Sequence, residues 1–309
     1  MNSVQSLCSE AIKQLAVEIG FDAVGIAQAD RVNQSEIRQR QDWIKSGMNA
    51  SMSYLERNTD LRSNPRLLMP RCRSIIVLAA SYHSDISSKI IAQYALGDDY
   101  HNVLREKVLP ITELLNQYGF NTRVCVDSAP LAERYWAVKA GVGFIGLNSM
   151  LIVPNIGSRV FLTEILTDAN LEPDAPCELS CISCSKCINC CPGKAINDDK
   201  TVDARRCLSY LTIEYRGEFD KNLNLYNRLY GCDCCQDVCP HNQNTPLLKF
   251  GQFKPRPDVI NLTIDQAATM TQEQFSKMFK GSAIKRTKLS GLTRNALHIL
   301  KNNPPLNKT

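Results

Sequence analysis

The stretch CISCSKCINCCP, residues 181–192, decides how this sequence is organised. Its cysteines follow the spacing Cys181-x2-Cys184-x2-Cys187-x3-Cys191, and a proline comes directly after the last of them. Three thiolates this close together can hold three corners of one iron–sulfur cube, while the cysteine before the proline turns away to ligate a second cube. The spacing therefore predicts two 4Fe–4S clusters.

A second block of cysteines supplies the ligands that remain. It consists of Cys207 and of Cys232-x2-Cys235-x3-Cys239, which is again followed by a proline. We assign one cluster to Cys181, Cys184, Cys187 and Cys239, and the other to Cys191, Cys207, Cys232 and Cys235. Each cysteine that precedes a proline crosses over to the other cluster, as in bacterial ferredoxins. This arrangement keeps the clusters close enough for electron transfer.

Two alternatives concern these cysteines. Zinc also takes four thiolates, but its usual layout is two CxxC pairs with a long spacer, which fits this sequence less well. Cys190 and Cys234 adjoin predicted ligands, so an exchange with Cys191 or Cys235 stays open. Four other cysteines have no motif partner, and we interpret them as packing or surface thiols: Cys8, Cys72, Cys125 and Cys177.

The bulk composition sets the class of protein. A chain of 309 residues is too long for a ferredoxin module alone, and its 44% hydrophobic and 22% charged residues are ordinary for a globular protein. No signal peptide and no apolar run of about 18 residues are present, so we expect a cytoplasmic protein without a membrane segment. In that compartment, 14 cysteines favour metal ligation over disulfides.

Helix and strand patterns alternate before the cysteines. We predict helices at 3–19, 35–45, 103–118 and 131–140, the third with a kink at Pro110, and strands at 21–27, 74–81, 122–126 and 159–166. Such alternation predicts an α/β (α+β) domain over residues 1–170. A ferredoxin-like domain follows over 171–250, and a basic, weakly helical segment over 251–309. That last segment holds ten Lys or Arg against three Asp or Glu.

Asp127 is a candidate catalytic residue because it stands where a predicted strand ends. Ligands often bind at such an edge, and a carboxylic acid there could donate a proton to a substrate. The alternative is that Asp127 caps the helix that follows Pro130. Glu133 and Arg134 would ordinarily lie on an exposed helix face, so the same alternative applies to them.

The sequence also resembles the epoxyqueuosine reductases over about residues 50–300. These are cobalamin-dependent iron–sulfur enzymes of tRNA modification. The matching motifs are MSYLER at 52–57, DYH at 99–101, VDSAPLAER at 126–134, AGVGFIG at 140–146, GS at 157–158, CLSYLTIE at 207–214, GCD at 231–233, RT at 286–287 and GLTRNA at 291–296. Two positions depart from the family pattern: Leu147, where we expect lysine, and His241, where we expect an aromatic residue.

The resemblance implies a cobalamin bound base-off between the N-terminal and ferredoxin-like domains. By the same resemblance Asp127 becomes the proton donor. The cofactor pocket would include Asp127 and four further residues, namely Arg57, Asn148, Ser158 and Ser209. The DYH motif lacks the glycine of the DxHxxG cobalamin motif, which is consistent with a cobalt that takes no histidine from the protein.

The resemblance further implies the reduction of epoxyqueuosine to queuosine in a tRNA anticodon loop. Basic residues of the last segment would then face phosphates, and we single out Lys285, Arg286, Lys288 and Arg294. A solvated helix face is the alternative for these four. We expect a monomer that receives electrons from an unidentified cytosolic donor. Two other functions stay open: a reductive-dehalogenase-like cobalamin reductase of a small molecule, and a non-catalytic electron carrier.

Overall fold

A four-stranded antiparallel sheet organises the N-terminal part of this protein, in a computed structural model that describes residues 8–302. Its strands are β1 (Ala23–Gln28), β2 (Ser74–Ser81), β3 (Thr122–Cys125) and β6 (Val160–Thr167), while β4 (Phe144–Ile145) and β5 (Leu151–Ile152) form a separate pair. The order is β1-β2-β6-β3, with every neighbour antiparallel. The domain is therefore of the α+β kind within the predicted class.

Strand β2 lies in the middle of the sheet, and all eight of its residues are buried. Successive side chains of a strand point to opposite faces. Ile76 and Leu78 therefore pack into the core on one face, and Ile75 and Val77 into a second core on the other. The continuous apolar run of the sequence is explained by burial on both sides.

Seven helices surround this sheet in the described residues: α1 (Ser9–Ile19), α2 (Gln34–Lys45), α3 (Thr59–Ser63), α4 (Pro65–Leu68), α5 (Tyr100–Lys107), α6 (Leu109–Gln117) and α7 (Glu133–Lys139). The helix predicted at 103–118, with a kink at Pro110, is observed as two consecutive helices, α5 and α6, and the first of them begins at Tyr100. The chain breaks at Val108, because Pro110 has no N–H and suits the first turn of a new helix. The predicted helix start at Ser3 lies outside the described residues.

The cysteine-dense part is mostly irregular, with the short helices α8 (Lys186–Cys190), α9 (Leu208–Ile213) and α10 (Cys234–Asp237). It is joined to the N-terminal part by an isolated parallel bridge between Ile91 and Tyr230. A buried hydrogen bond from the backbone N–H of Gln93 to Asp233 also connects the two parts.

The basic segment is more helical than predicted. It forms α11 (Pro257–Ile260), α12 (Ile264–Ala268), α13 (Gln272–Met278) and α14 (Lys288–Asn302). Leu292 and Ala296 of α14 are fully buried in a core that also contains Ile91 and Leu96. The apolar face of α14 therefore fastens this segment to the N-terminal part. Among residues 8–302, no helix is long and apolar enough to cross a membrane.

Candidate active site and iron–sulfur centre

The four cysteines assigned to the first cluster line one small cavity. Its walls are formed by Cys181, Cys184, Cys187 and Cys239, together with neighbours that include Leu147, Asn148 and His241. Cys187 comes from α8, and Cys239 follows α10 in an extended conformation. Four thiols from two distant stretches around one cavity fit a 4Fe–4S cluster. The two positions that depart from the family pattern both lie on this wall.

The second set of cysteines draws on both blocks. Cys207 lies near Cys191, and Cys235 lies near both of them. Burial raises the pKa of the Cys207 thiol, and hydrogen bonding from the backbone N–H groups of Ser209 and Tyr210, at the start of α9, opposes that shift. Such bonds stabilise a thiolate and tune a cluster that it ligates. In residues 8–302, no three His, Cys, Asp or Glu side chains are placed to hold a single metal ion.

The two extra cysteines have partners of their own. The Cys190 thiol lies 3.2 Å from the carbonyl oxygen of Cys234, and the Cys234 sulfur accepts a hydrogen bond of 3.2 Å from Arg228. Cys232 also lies close to the Cys234 sulfur. The exchange of ligands considered from the sequence therefore stays open at Cys234.

Two of the predicted cofactor-pocket residues are buried. Asn148 lines the first cysteine cavity, and its amide nitrogen has no hydrogen-bond partner among the described residues. Ser158 instead joins the two parts of the protein, since its backbone N–H donates to Asn242 at 2.6 Å and its hydroxyl to Gln236 at 3.0 Å. Arg57 is exposed on the surface. Their cofactor roles stay predictions.

Asp127 lies on a loop between β3 and α7, with 59% of its side chain exposed. Its Oδ2 atom accepts a hydrogen bond from the Tyr100 hydroxyl at 3.0 Å and lies 3.1 Å from Nε2 of His101. Its backbone is left-handed, with a φ of 53°. The carboxylate makes no bond to the first turn of α7, whose N-cap Ala132 has no side-chain cap. The helix-cap interpretation is therefore wrong.

The charges around Asp127 determine whether the proton of the His101–Asp127 pair lies on the histidine or on the carboxylate. Burial opposes the charged form of His101, but hydrogen bonds to Asp127 and Asp99 outweigh it and raise the His101 pKa to about 9. The hydrogen bond from His101 in turn lowers the pKa of Asp127. At neutral pH the pair is an imidazolium and a carboxylate, and the proton lies on the histidine.

Glu133 and Glu164 lie beneath this loop, and sequence reasoning missed both. Glu133 was expected on a solvated face, yet its Oε1 accepts the backbone N–H of Asp127 at 2.5 Å. Glu164 is fully buried in β6. A charged residue within the apolar strand Val160–Thr167 was the one signal that could have revealed it. Tyr100 was likewise not singled out as a partner of Asp127.

The predicted nucleic-acid residues divide into two kinds. Lys285 and Lys288 are exposed, and Arg286 forms a two-pronged ion pair with Glu214, at 2.8 and 2.9 Å. Arg294 is bonded inside the protein. It donates to the carbonyl oxygens of Tyr215, Gly217 and Leu211, and its guanidinium lies 4.2 Å from the centre of the Phe219 ring.

Comparison with known proteins adds two family matches. Residues 180–242 match the 4Fe-4S double cluster binding domain, and residues 62–128 match the family described as epoxyqueuosine reductase QueG, DUF1730. The epoxyqueuosine reductase of Cellulophaga algicola is 37% identical over 296 residues, covering 93% of this chain and 96% of that protein. The enzyme of Escherichia coli is 36% identical, covering 96% of this chain and 81% of its own.

Solved structures agree with these relatives. An epoxyqueuosine reductase in complex with an epoxyqueuosine-modified tRNA-Tyr stem loop has a TM-score of 0.86 and 30% identity, covering 94% of this chain and 80% of that one. The Bacillus subtilis enzyme, solved with its catalytic aspartate loop swung out of the active site, also has a TM-score of 0.86, at 29% identity and the same coverage.

These matches confirm the family resemblance and the two clusters. The double-cluster domain spans all of the predicted ligands from Cys181 to Cys239, which favours iron–sulfur clusters over zinc. Relatives of one named activity extend over nearly the whole chain, including the N-terminal part that an electron carrier would not need. The chain therefore belongs to the epoxyqueuosine reductases, a family of oxidoreductases, and it binds two 4Fe–4S clusters.

Proposed function

We propose that this epoxyqueuosine reductase acts on the modified base of a tRNA anticodon loop, with a cobalamin bound base-off, and that Asp127 delivers the proton to the departing oxygen. The observation that carries the proposal is the Asp127 carboxylate. It is exposed on a loop, the Tyr100 hydroxyl donates a hydrogen bond to it, and the His101 imidazole lies within hydrogen-bonding distance. Removal of an epoxide oxygen as water consumes two electrons and two protons and leaves a carbon–carbon double bond. Asp127 supplies one of the protons, and solvent, which reaches this exposed site, supplies the other.

The residues near Asp127 fit a cofactor that is rich in amide and phosphate oxygens. The Nε atoms of Arg40 and Arg62 are buried and have no hydrogen-bond partner among the described residues, and Arg62 lies near Asp127. When bound, cobalamin would supply a low-valent cobalt as the electron donor to the substrate. Both ring nitrogens of His101 are engaged by carboxylates, which supports a cobalt without this histidine.

The residues predicted to hold the corrin are Arg57, Asp127, Asn148, Ser158 and Ser209. Ser158 already uses its hydroxyl on Gln236, and Asn148 adjoins the first cysteine set. We therefore propose that these two act at the border between cofactor and clusters. Arg57 and Asp127 are exposed and would contact the cofactor or the substrate directly.

The protein's part in the reaction is to hold and move a proton. The Tyr100 hydroxyl donates to Asp127, and burial, followed by the charge of Asp127, raises the pKa of Tyr100, so that its phenol stays neutral. The His101 Nε2 proton faces the Asp127 Oδ2 atom. Asp127 can accept this proton and present it to the oxygen as negative charge develops there.

The relative that was solved with a modified tRNA stem loop supports tRNA as the partner. Arg286 lies close enough to Asp127 to lower its pKa, and Lys285 and Lys288 are exposed in the same segment. We infer that these residues face the phosphates on either side of the modified base. The protein acts as a cytoplasmic monomer that takes electrons from a cytosolic donor.

Anaerobically purified Asp127→Asn protein tests this proposal, with the exposed aspartate in Asp98→Asn as the matched control. Iron, sulfide and corrin per chain are quantified first, and the conversion of epoxyqueuosine in purified tRNA is then followed by nucleoside mass spectrometry. We expect Asp127→Asn to keep its clusters and corrin but to lose turnover at least a hundredfold, within the range of general acid catalysis. Turnover equal to the control would remove Asp127 from the reaction.

A further inference from the structure

Glu164 is a carboxyl group buried without a donor. It lies on β6, opposite Val77 of β2 and Cys125 of β3, and none of its surface is exposed. Neither of its two oxygens accepts a hydrogen bond from a donor group in the described part of the chain. A buried carboxylate without a hydrogen-bond donor is very unfavourable, so Glu164 must either be protonated itself or share a proton with a neighbouring group.

The carboxyl group of Glu133 faces it within hydrogen-bonding range. Two ionised carboxylates in this position would only repel each other, whereas a single proton turns the contact into an O–H···O bond. Burial, and then the charge of Glu133, raise the pKa of Glu164 well above its ordinary value. Burial also raises the pKa of Glu133.

The other titratable groups nearby do not supply a counter-charge to Glu164. Cys125 is buried, which raises its pKa to about 12 and keeps the thiol neutral, and Asp127 adds negative charge. Two arginines, Arg134 and Arg62, act on Glu133 rather than on Glu164. A proton on Glu164 is the remaining way to satisfy both carboxyl groups.

Glu133 connects this pair to the candidate catalytic residue. Its Oε1 atom accepts the Asp127 backbone N–H at 2.5 Å. Asp127 has a φ of 53°, a left-handed conformation that residues other than glycine adopt when their surroundings hold them there. The same loop is fastened on its far side by Arg105, which donates to the Ser128 hydroxyl at 3.0 Å.

We propose that Glu164 keeps its carboxyl proton and donates it to Glu133, and that Glu133 thereby holds the Asp127 loop in the conformation that presents its carboxylate. Both glutamates are positioning residues, since Glu164 is fully buried and Glu133 binds the backbone of the loop. This role rests on the proposed function of Asp127. The structural part, a protonated pair that anchors the loop, can be measured without turnover.

The proton is tested by infrared spectroscopy of the anaerobic holoprotein at about pH 8, where exposed carboxylates are ionised. We expect a carbonyl stretch from a protonated carboxylic acid. Glu164→Gln, which matches the size of the neutral acid, should abolish this band. Glu113→Gln, at an exposed glutamate of α6, should leave it unchanged. A band that persists in Glu164→Gln would overturn the proposal.

The anchor is tested by hydrogen–deuterium exchange of the peptide that covers residues 126–131. Glu133→Met keeps the length of the side chain but is only a weak hydrogen-bond acceptor, and it should speed exchange of the Asp127 amide about tenfold. Glu133→Gln keeps an acceptor and should restore slow exchange. Wild-type exchange in Glu133→Met, with iron content and circular dichroism unchanged, would also overturn the proposal.

Turnover gives the last readout. Glu133→Met should lower kcat about tenfold with little change in the KM for tRNA, and Glu133→Gln should recover most of it. If Asp127 is not the proton donor, turnover will survive in Glu133→Met, while the infrared and exchange results stay as expected. Failure of the anchor is therefore distinguishable from failure of the proposed function. Should Glu133→Met not fold, the infrared test on Glu164→Gln still decides.

Discussion

The Nε2 atom of His101 lies 3.1 Å from the Oδ2 atom of Asp127. The Nδ1 atom of the same ring lies 2.7 Å from Asp99, so the imidazole is held between two carboxylates. An imidazolium satisfies both, because each of its nitrogens carries a proton. The histidine is therefore a proton reservoir beside the candidate acid, and its own pKa reports on whether the pair exists.

We expect the His101 imidazole to titrate near pH 9. Histidine hydrogen–deuterium exchange at C2, read by mass spectrometry, measures this pKa and is not disturbed by paramagnetic clusters. Asp127→Asn removes one of the two charged partners and should lower the His101 pKa toward 6.5, while Asp98→Asn should leave it unchanged. An ordinary His101 pKa in the wild type would contradict the ion pair.

The same shift predicts how stability depends on pH. The folded pKa of His101 is raised above the ordinary 6.5. Its stabilising contribution is therefore fully present below about 6.5 and is lost as the pH rises through about 9. The unfolding free energy, measured by urea denaturation, should fall across this interval more steeply in the wild type than in His101→Gln. Equal slopes in the two proteins would show that this histidine is not linked to folding.

Serine variants should separate the cluster ligands from the extra cysteines. Cys191→Ser and Cys235→Ser each remove a predicted ligand and should lower the iron bound per chain. Cys190→Ser and Cys234→Ser should keep the full iron content. The Cys190 thiol is hydrogen-bonded to the carbonyl oxygen of Cys234, and the Cys234 sulfur is hydrogen-bonded to Arg228. Iron and sulfide analysis with electron paramagnetic resonance of the reduced protein measures this. Loss of a cluster in Cys234→Ser would assign that residue to the ligand set.

Arg294 and Lys285 should respond differently to substitution. Arg294 donates to backbone carbonyls of three residues, so Arg294→Ala should lower the unfolding free energy by about 2 kcal/mol or more. Lys285 is exposed, and Lys285→Ala should leave stability within about 0.5 kcal/mol.

Binding of tRNA completes the comparison. If Lys285 contacts a phosphate, Lys285→Ala should reduce the slope of log affinity against log salt by about one. Affinity measured by fluorescence anisotropy at several salt concentrations gives that slope. A slope identical to that of the wild type would place Lys285 on an ordinary solvated surface.

A close backbone approach holds the end of α7 against the sheet. A Cβ atom added to Gly25 of β1 would lie 2.0 Å from the carbonyl oxygen of Ala140, just past α7. Gly25→Ala should therefore cost at least about 2 kcal/mol of unfolding free energy. Gly251→Ala, where an added Cβ meets nothing within 4 Å, is the control and should stay within about 0.5 kcal/mol. Thermal or urea unfolding of both variants decides.

Most strands and several helices could be predicted, because the local periodicity of hydrophobic residues indicates them. The strand Ser74–Ser81 was predicted with its observed bounds, and the helix at 35–45 began one residue late. The antiparallel order of the sheet could not be predicted, since β2 pairs with β6 about 80 residues later in the chain. The helical content of the basic segment was underestimated, because its apolar side chains pack against residues far away in the chain, such as Ile91 and Leu96.

The two 4Fe–4S clusters could be predicted from the sequence alone, because seven of the eight assigned ligands follow the short spacings of residues 181–191 and 232–239. Only the tertiary structure decided the surroundings of Asp127. Tyr100 and His101 come from α5, Glu133 from α7 and Glu164 from β6, and no local pattern connects them. A carboxyl group becomes charged or neutral according to its burial and its neighbours, and only the folded chain brings those neighbours together.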